Sequence, residues 1–179
     1  MTNKSQSPWN VQIRADDVPE TGRKVDLVAD AAVREAIAKL AGLRALPRLE
    51  AHFEVTRHGS GLRVAGQVSA TVEQTCGVTL EALNNEVAEA VDAVYVPPAA
   101  GDGPESDDEG LETDEGPEPL VDGTADLGTL ATEFLLLGID PYPRRPDAVF
   151  APPAAPESAG GGAFAALAAL KKDRGAGQT

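Results

Sequence analysis

Cys76, in QTCGVTLEAL (74–83), is the chain's single thiol, and the chemistry open to it is metal ligation or nucleophilic attack. A structural zinc site takes about four thiolate, imidazole or carboxylate ligands at close spacing. Only two histidines accompany this cysteine, and His52 and His58 flank a glycine-rich turn instead of forming a second ligand pair. A nucleophilic thiol needs a base beside it to hold the thiolate. His52 or His58 could approach Cys76 across a sheet, but so could any strand residue. The plainer reading is a half-buried thiol at a strand end, and His58 in RHGSG reads as a turn residue. A lone cysteine also excludes an internal disulfide.

Other catalytic signatures are missing. There is no phosphate-binding glycine loop, dinucleotide fingerprint or nucleophile elbow. The acidic run PAAGDGPESDDEGLETDEGPEP (98–119) lacks the ligand order of a calcium loop and reads as a solvated segment. Two basic features are candidate RNA or partner contacts: Arg144 and Arg145 between prolines, and Lys171, Lys172 and Arg174 at the end of the last helix-like stretch. Their plainer roles are a solubilising linker and cations complementing a helix C-terminus. No aromatic platform for stacking single-stranded RNA is evident.

The elements that would position these residues follow from periodicity. Alternation predicts strands at 8–17, where Val11 and Ile13 share a side, and at 23–30, where Val25 and Leu27 do. Asp30 is a natural N-cap for a helix over 31–42, with Val33, Ile37 and Leu40 on its inner face and Gly42 just past its end. The strongest β signal is 45–76: Leu49, Ala51, Phe53 and Val55 alternate, HGSG (58–61) turns the chain, and alternation resumes from Leu62 to Val72. Gly66, in mid-strand, marks a bulge or a close backbone approach. A third long strand is predicted over 85–98, and Leu120-Val121 is placed at a sheet edge. Asp126 then caps a helix over 127–139, with Leu127, Leu130, Phe134, Leu137 and also Leu136 as its apolar face.

Length and composition predict one domain with appended segments. Residues 1–7 read as a disordered N-terminus and 8–97 as a β-rich core with one helix. The acidic loop 98–119 reads as disordered because it cannot bury enough apolar area to offset chain ordering. Residues 120–141 return to the same domain, 142–162 form a Pro/Gly linker, 163–174 a short helix, and 175–179 a disordered tail. The net charge of −14 is concentrated: nine acids and no base fall within 98–119, while the flanking parts are near neutral. No apolar leader opens the chain and no apolar run approaches the roughly 20 residues of a membrane span. A cytoplasmic location without membrane association is the expectation, and no DNA partner is expected.

Four motifs in order resemble the YceD family of large ribosomal RNA subunit accumulation proteins. They are CGVTLE (76–81), GTADLGTLATEFLLL (123–137), PYPRRP (141–146) and AFAALAALKK (163–172). The family-motif positions are Cys76, Leu80, Glu81, Asp126, Leu127, Glu133, Leu135 and Leu136. The resemblance implies a bacterial ribosome-biogenesis accessory factor that supports accumulation or maturation of 23S ribosomal RNA. Its partners would be the large-subunit precursor, 23S rRNA or a basic ribosomal protein, and it would be no enzyme and hold no cofactor. The resemblance also implies that many members carry Cys-x-x-Cys at this turn and a later His or Cys, a set able to bind zinc. Here Thr79 takes the second position and PRRPDAVF (143–150) has neither ligand, so Cys76 reads as the remnant of a lost site. The alternatives are a metal-dependent hydrolase or nuclease using Glu81, Asp126 or Glu133, and a generic interaction module. The fold expected is α+β: an antiparallel meander of about five or six strands, curled towards a partial barrel, with two packed helices and a short C-terminal helix.

Overall fold

The computed structural model describes residues 7–98, 117–150 and Pro152. Most of the expected acidic loop, the C-terminal helix over 163–174, the tail and with them Lys171, Lys172 and Arg174 lie outside the described residues. The described helices and strands all belong to the unit ending at Ala148.

The elements run β1 (Gln12–Arg14), a 3-10 turn (Ala15–Asp17), β2 (Arg23–Val28), α1 (Ala31–Ala41), β3 (Ala45–His58), β4 (Gly61–Thr75), β5 (Ala82–Val96), β6 (Glu118–Pro119), β7 (Thr124–Asp126) and α2 (Leu127–Gly138). Five strands form one sheet in the order β2-β3-β4-β5-β6, and β1 pairs with β7 in a separate two-stranded ladder. The architecture is α+β, as the periodicity predicts. The sheet is mixed, however, because β6 runs parallel to β5, with Tyr95 opposite Glu118 and Val96 opposite Pro119. A meander is formed only by β3, β4 and β5, and β2 reaches β3 through α1. The sheet stays open: its edge strands β2 and β6 do not pair with each other.

Hydrophobic alternation sets the sheet's inner face. Leu49, Phe53 and Val55 of β3 and Val64, Val68 and Val72 of β4 are all buried there. Gly66 leaves the register unbroken between Phe53 and Val91. A Cβ at this position would collide with the backbone of His52 and Phe53, so close approach rather than a bulge explains the glycine. The irregularity in this hairpin lies instead between Ala45 and Arg48.

Both helices are capped as predicted. The Asp30 carboxylate accepts from the Val33 amide at 2.8 Å, and Gly42 ends α1 in the left-handed region at φ 66°. Their buried faces differ from the prediction. In α1 the buried residues are Ile37 and Ala38, and Leu40 is 62% exposed. In α2 the buried arc centres on Ala131, with Leu127, Leu130 and Leu135, while Leu136 and Leu137 face outward. At 3.6 residues per turn, Leu136 and Leu137 fall about 140° and about 120° from Ala131, outside the arc that meets the sheet. Small residues let each helix approach closely, and they set its rotation. Among the described residues no helix is long and apolar enough to cross a membrane.

Candidate functional site

The six residues joining β4 to β5 fold into a tight knuckle. The Cys76 amide donates to the Glu81 carbonyl at 2.8 Å, and the Leu80 amide donates back to the Cys76 carbonyl at 2.9 Å. Leu80 takes the left-handed conformation at φ 61°, which is uncommon for a residue with a Cβ, and its side chain is exposed. The Thr79 amide lies 3.4 Å from Cys76 Sγ. Cys76 is buried outright, not half-buried. Its thiol pKa is lowered to about 6: the Thr79 hydroxyl, then the Thr79 and Arg145 amides, favour the thiolate over the opposing effect of burial.

The stretch after α2 returns to this knuckle. The Gly77 amide donates to the Pro143 carbonyl at 2.9 Å. Arg145 donates to Glu81 at 2.8 Å and grips Asp147 through Nε and Nη2 at 3.1 and 3.2 Å. The guanidinium in turn holds the Asp147 carboxyl below its ordinary range. Below the knuckle, Gln74 Nε2 donates to the Asp140 carbonyl at 2.8 Å. CGVTLE and PYPRRP, about 60 residues apart in sequence, are therefore one structural unit. Arg145 is committed to this clamp, whereas its neighbour Arg144 is exposed and has no ion pair among the described residues.

A zinc ion does not fit this knuckle. It offers one thiol, Thr79 supplies a neutral hydroxyl, and the knuckle's own carboxylate, Glu81, is engaged by a guanidinium that would repel a cation. Among the described residues no three His, Cys, Asp or Glu side chains converge in a metal-binding group.

The second cluster lies at the start of α2. Asp126 Oδ1 accepts from the Val11, Gly128 and Thr129 amides at 2.9, 3.1 and 3.2 Å. Its Oδ2 accepts from Asn10 Nδ2 at 2.6 Å and from the Thr129 hydroxyl at 3.0 Å. One carboxylate thus caps α2 and ties the N-terminal segment across it. Beside it opens a cleft of about 460 Å³, lined by Glu118, Asp122, Asp126, Glu133, Tyr95 and Val121 among others, and by no cationic side chain among the described residues. Tyr95 is 8% exposed. Burial first, then the charges of Glu118, Glu133 and Asp126, push its hydroxyl well above the ordinary range. Sequence reasoning missed this cleft because nothing marks Tyr95 within the strand predicted over 85–98, and the β5–β6 pairing that brings Glu118 to it leaves no local signal.

Glu81 sits at the knuckle, while Asp126 and Glu133 line the cleft, so the three residues offered for hydrolysis serve two different places. Leu127 and Leu135 are core residues and Leu136 is exposed. On the sheet's outer face the arginines are neutralised. Arg48 pairs with Glu50 and Glu86 at 3.4 and 2.7 Å, and Arg63 pairs with Asp92 at 2.6 Å. The described residues hold eleven basic and nineteen acidic side chains.

The model of the family described as large ribosomal RNA subunit accumulation protein YceD matches residues 64–171, more than half of the chain. The chain belongs to the YceD family. The match begins in β4 and takes in the knuckle, the cleft segment, α2 and the Pro-x-x-Pro stretch, so both clusters have their centres within the YceD region. β1, β2, α1 and β3 precede it. No curated protein and no solved structure matches the chain.

Proposed function

We propose that this YceD-family chain is a non-enzymatic accessory factor of large-subunit assembly in the bacterial cytoplasm. It supports accumulation or maturation of 23S ribosomal RNA by contacting a basic large-subunit protein. The family description supports the link to large-subunit RNA. The observation that carries the choice of protein over RNA is electrostatic. The described body has eight more acids than bases, the arginines of its outer sheet face are paired, and its cleft is lined by four carboxylates. Such a surface repels a phosphate backbone and attracts a cationic protein.

The separation of Glu81 from Asp126 and Glu133 supports a role without hydrolysis, as does the full hydrogen-bond complement of Asp126. The test is genetic. Cells lacking the chain should show a reduced ratio of 23S to 16S rRNA, restored by the wild type and by a Glu81→Ala variant that folds. An unchanged ratio on loss of the chain would remove the proposed role. Failure of the folded Glu81→Ala variant to restore it would bring back the hydrolase reading.

A further inference from the structure

We infer that the cleft at the start of α2 is a receptor for one lysine or arginine side chain presented by a basic protein segment. Two independent observations meet there. First, Glu118, Asp122, Asp126 and Glu133 line the cleft with no Lys, Arg or His among the described lining residues, so an entering cation is drawn by net negative charge. Second, Tyr95 is more than nine-tenths buried and lines this cleft, and its hydroxyl has no hydrogen bond among the described residues. A buried hydroxyl normally has a partner. Among the described residues no side-chain polar atom is both sealed from solvent and unpartnered, so this hydroxyl opens into the cleft. The carboxylates of Glu118, Glu133 and Asp126 act on it electrostatically, which places it on the acidic side.

The remaining wall is apolar. Pro119 and Val121, with the Tyr95 ring, offer a surface for the aliphatic stem of a long cationic side chain, whose charged head would then reach the carboxylates. Val121 is 52% exposed, an apolar surface that such a stem would cover. The volume of about 460 Å³ is at the small end of ligand pockets, roomy enough for one side chain with its hydrating water and too small for a folded element. An anion is excluded by charge. A multivalent metal ion lacks its ligands, since the Asp126 oxygens already take five donors and no three acids converge among the described residues. That the segment belongs to a large-subunit protein rests on the proposed function, whereas the preference for a cationic side chain rests on the cleft alone.

The test is isothermal titration of the full chain with a twelve-residue peptide of alternating lysine and glycine, and with its glutamate counterpart. The lysine peptide should bind, more weakly as salt rises, and the glutamate peptide should not. Tyr95→Phe removes one hydroxyl with little change of shape and should weaken binding about three- to tenfold. Glu118→Gln with Asp122→Asn should weaken it by at least about tenfold. Removing the same charge at the exposed Glu20 and Glu54, remote in sequence, should change it by less than about twofold. The inference is overturned if the lysine peptide does not bind, or if the Glu20/Glu54 pair weakens binding as much as the cleft pair. It is also overturned if binding appears only after Lys4, Lys171, Lys172 and Arg174 are replaced by Gln, because the cleft would then serve the chain's own cations. Failure of the wider function looks different: peptide binding is lost in the cleft variants while 23S accumulation in cells carrying them stays normal.

Discussion

Replacing Asp126 separates a structural carboxylate from a catalytic one. In Asp126→Ala, α2 loses its N-cap, which costs about 1 kcal/mol. The partly buried Val11 amide also loses its acceptor, which adds about 1–2 kcal/mol. The sum of about 2–3 kcal/mol is a large part of a domain stability of about 5–15 kcal/mol. With a urea dependence of about 1.5 kcal/mol per molar, the unfolding midpoint should fall by about 1.5–2 M. Asp126→Asn retains an amide oxygen that can accept from Val11, Gly128 and Thr129, and asparagine caps helices about as well as aspartate. Its loss should be about 1 kcal/mol or less. Equilibrium urea unfolding followed by circular dichroism measures both. The expected order is wild type, Asn, then Ala, in stability and in restoration of 23S rRNA alike. An Asn variant as stable as the wild type yet as inactive in cells as Ala would refute a purely structural assignment, because the negative charge that Asp126 also lends the cleft would then be what the cell requires.

The knuckle and the N-terminal segment are open to simpler tests. The Cys76 thiolate absorbance should titrate with a midpoint near 6, and Thr79→Val should move the midpoint upward; a midpoint at the ordinary thiol value would contradict the hydrogen bonding at the knuckle. Because this pKa is depressed on folding, the thiolate's contribution to stability is fully present above the unfolded thiol's pKa and is lost as pH falls through about 6, so Cys76→Ser should flatten that part of the pH–stability curve. Gly128→Ala should destabilise by about 1–3 kcal/mol despite alanine's better helix propensity, since the added Cβ would stand 2.5 Å from the Trp9 carbonyl oxygen; a thermal midpoint equal to or above the wild type would show that the N-terminal segment is not packed on α2. Arg145→Ala should speed hydrogen exchange at the Gly77 amide, which is held by Pro143, and unchanged exchange would show that the clamp does not depend on the guanidinium.

The legible parts of the fold are those governed by local rules. Alternation along 45–75 places the long hairpin, and Asp30, Gly42 and Asp126 mark helix ends, because caps act within a few residues of where they stand. The rotation of the helices is not legible. Periodicity puts Leu40 and Leu137 inside, but Ala38 and Ala131 occupy the contact, and small residues carry little weight in a pattern of large ones. The parallel β6 is hidden for another reason. Glu118 and Pro119 have poor strand propensity, and their pairing with Tyr95 and Val96 depends on a return across more than 20 residues. The knuckle and the return of 143–150 to it could be expected from the resemblance, but the Arg145–Glu81 bridge that joins them could not. The cleft goes unread because its walls come from four separate stretches of chain.

Whether the chain acts through a protein partner at the acidic cleft is tested most directly by site-specific photocrosslinking in growing cells. The crosslinker is placed at Val121 in the cleft and, separately, at Arg144, and both proteins and RNA are then identified. Val121 should capture a basic large-subunit protein, Tyr95→Phe should reduce this capture, and Arg144 should yield no defined 23S site. Crosslinks from Arg144 to one 23S site, with no large-subunit protein captured at Val121, would contradict the protein-partner reading and make the chain a direct RNA binder.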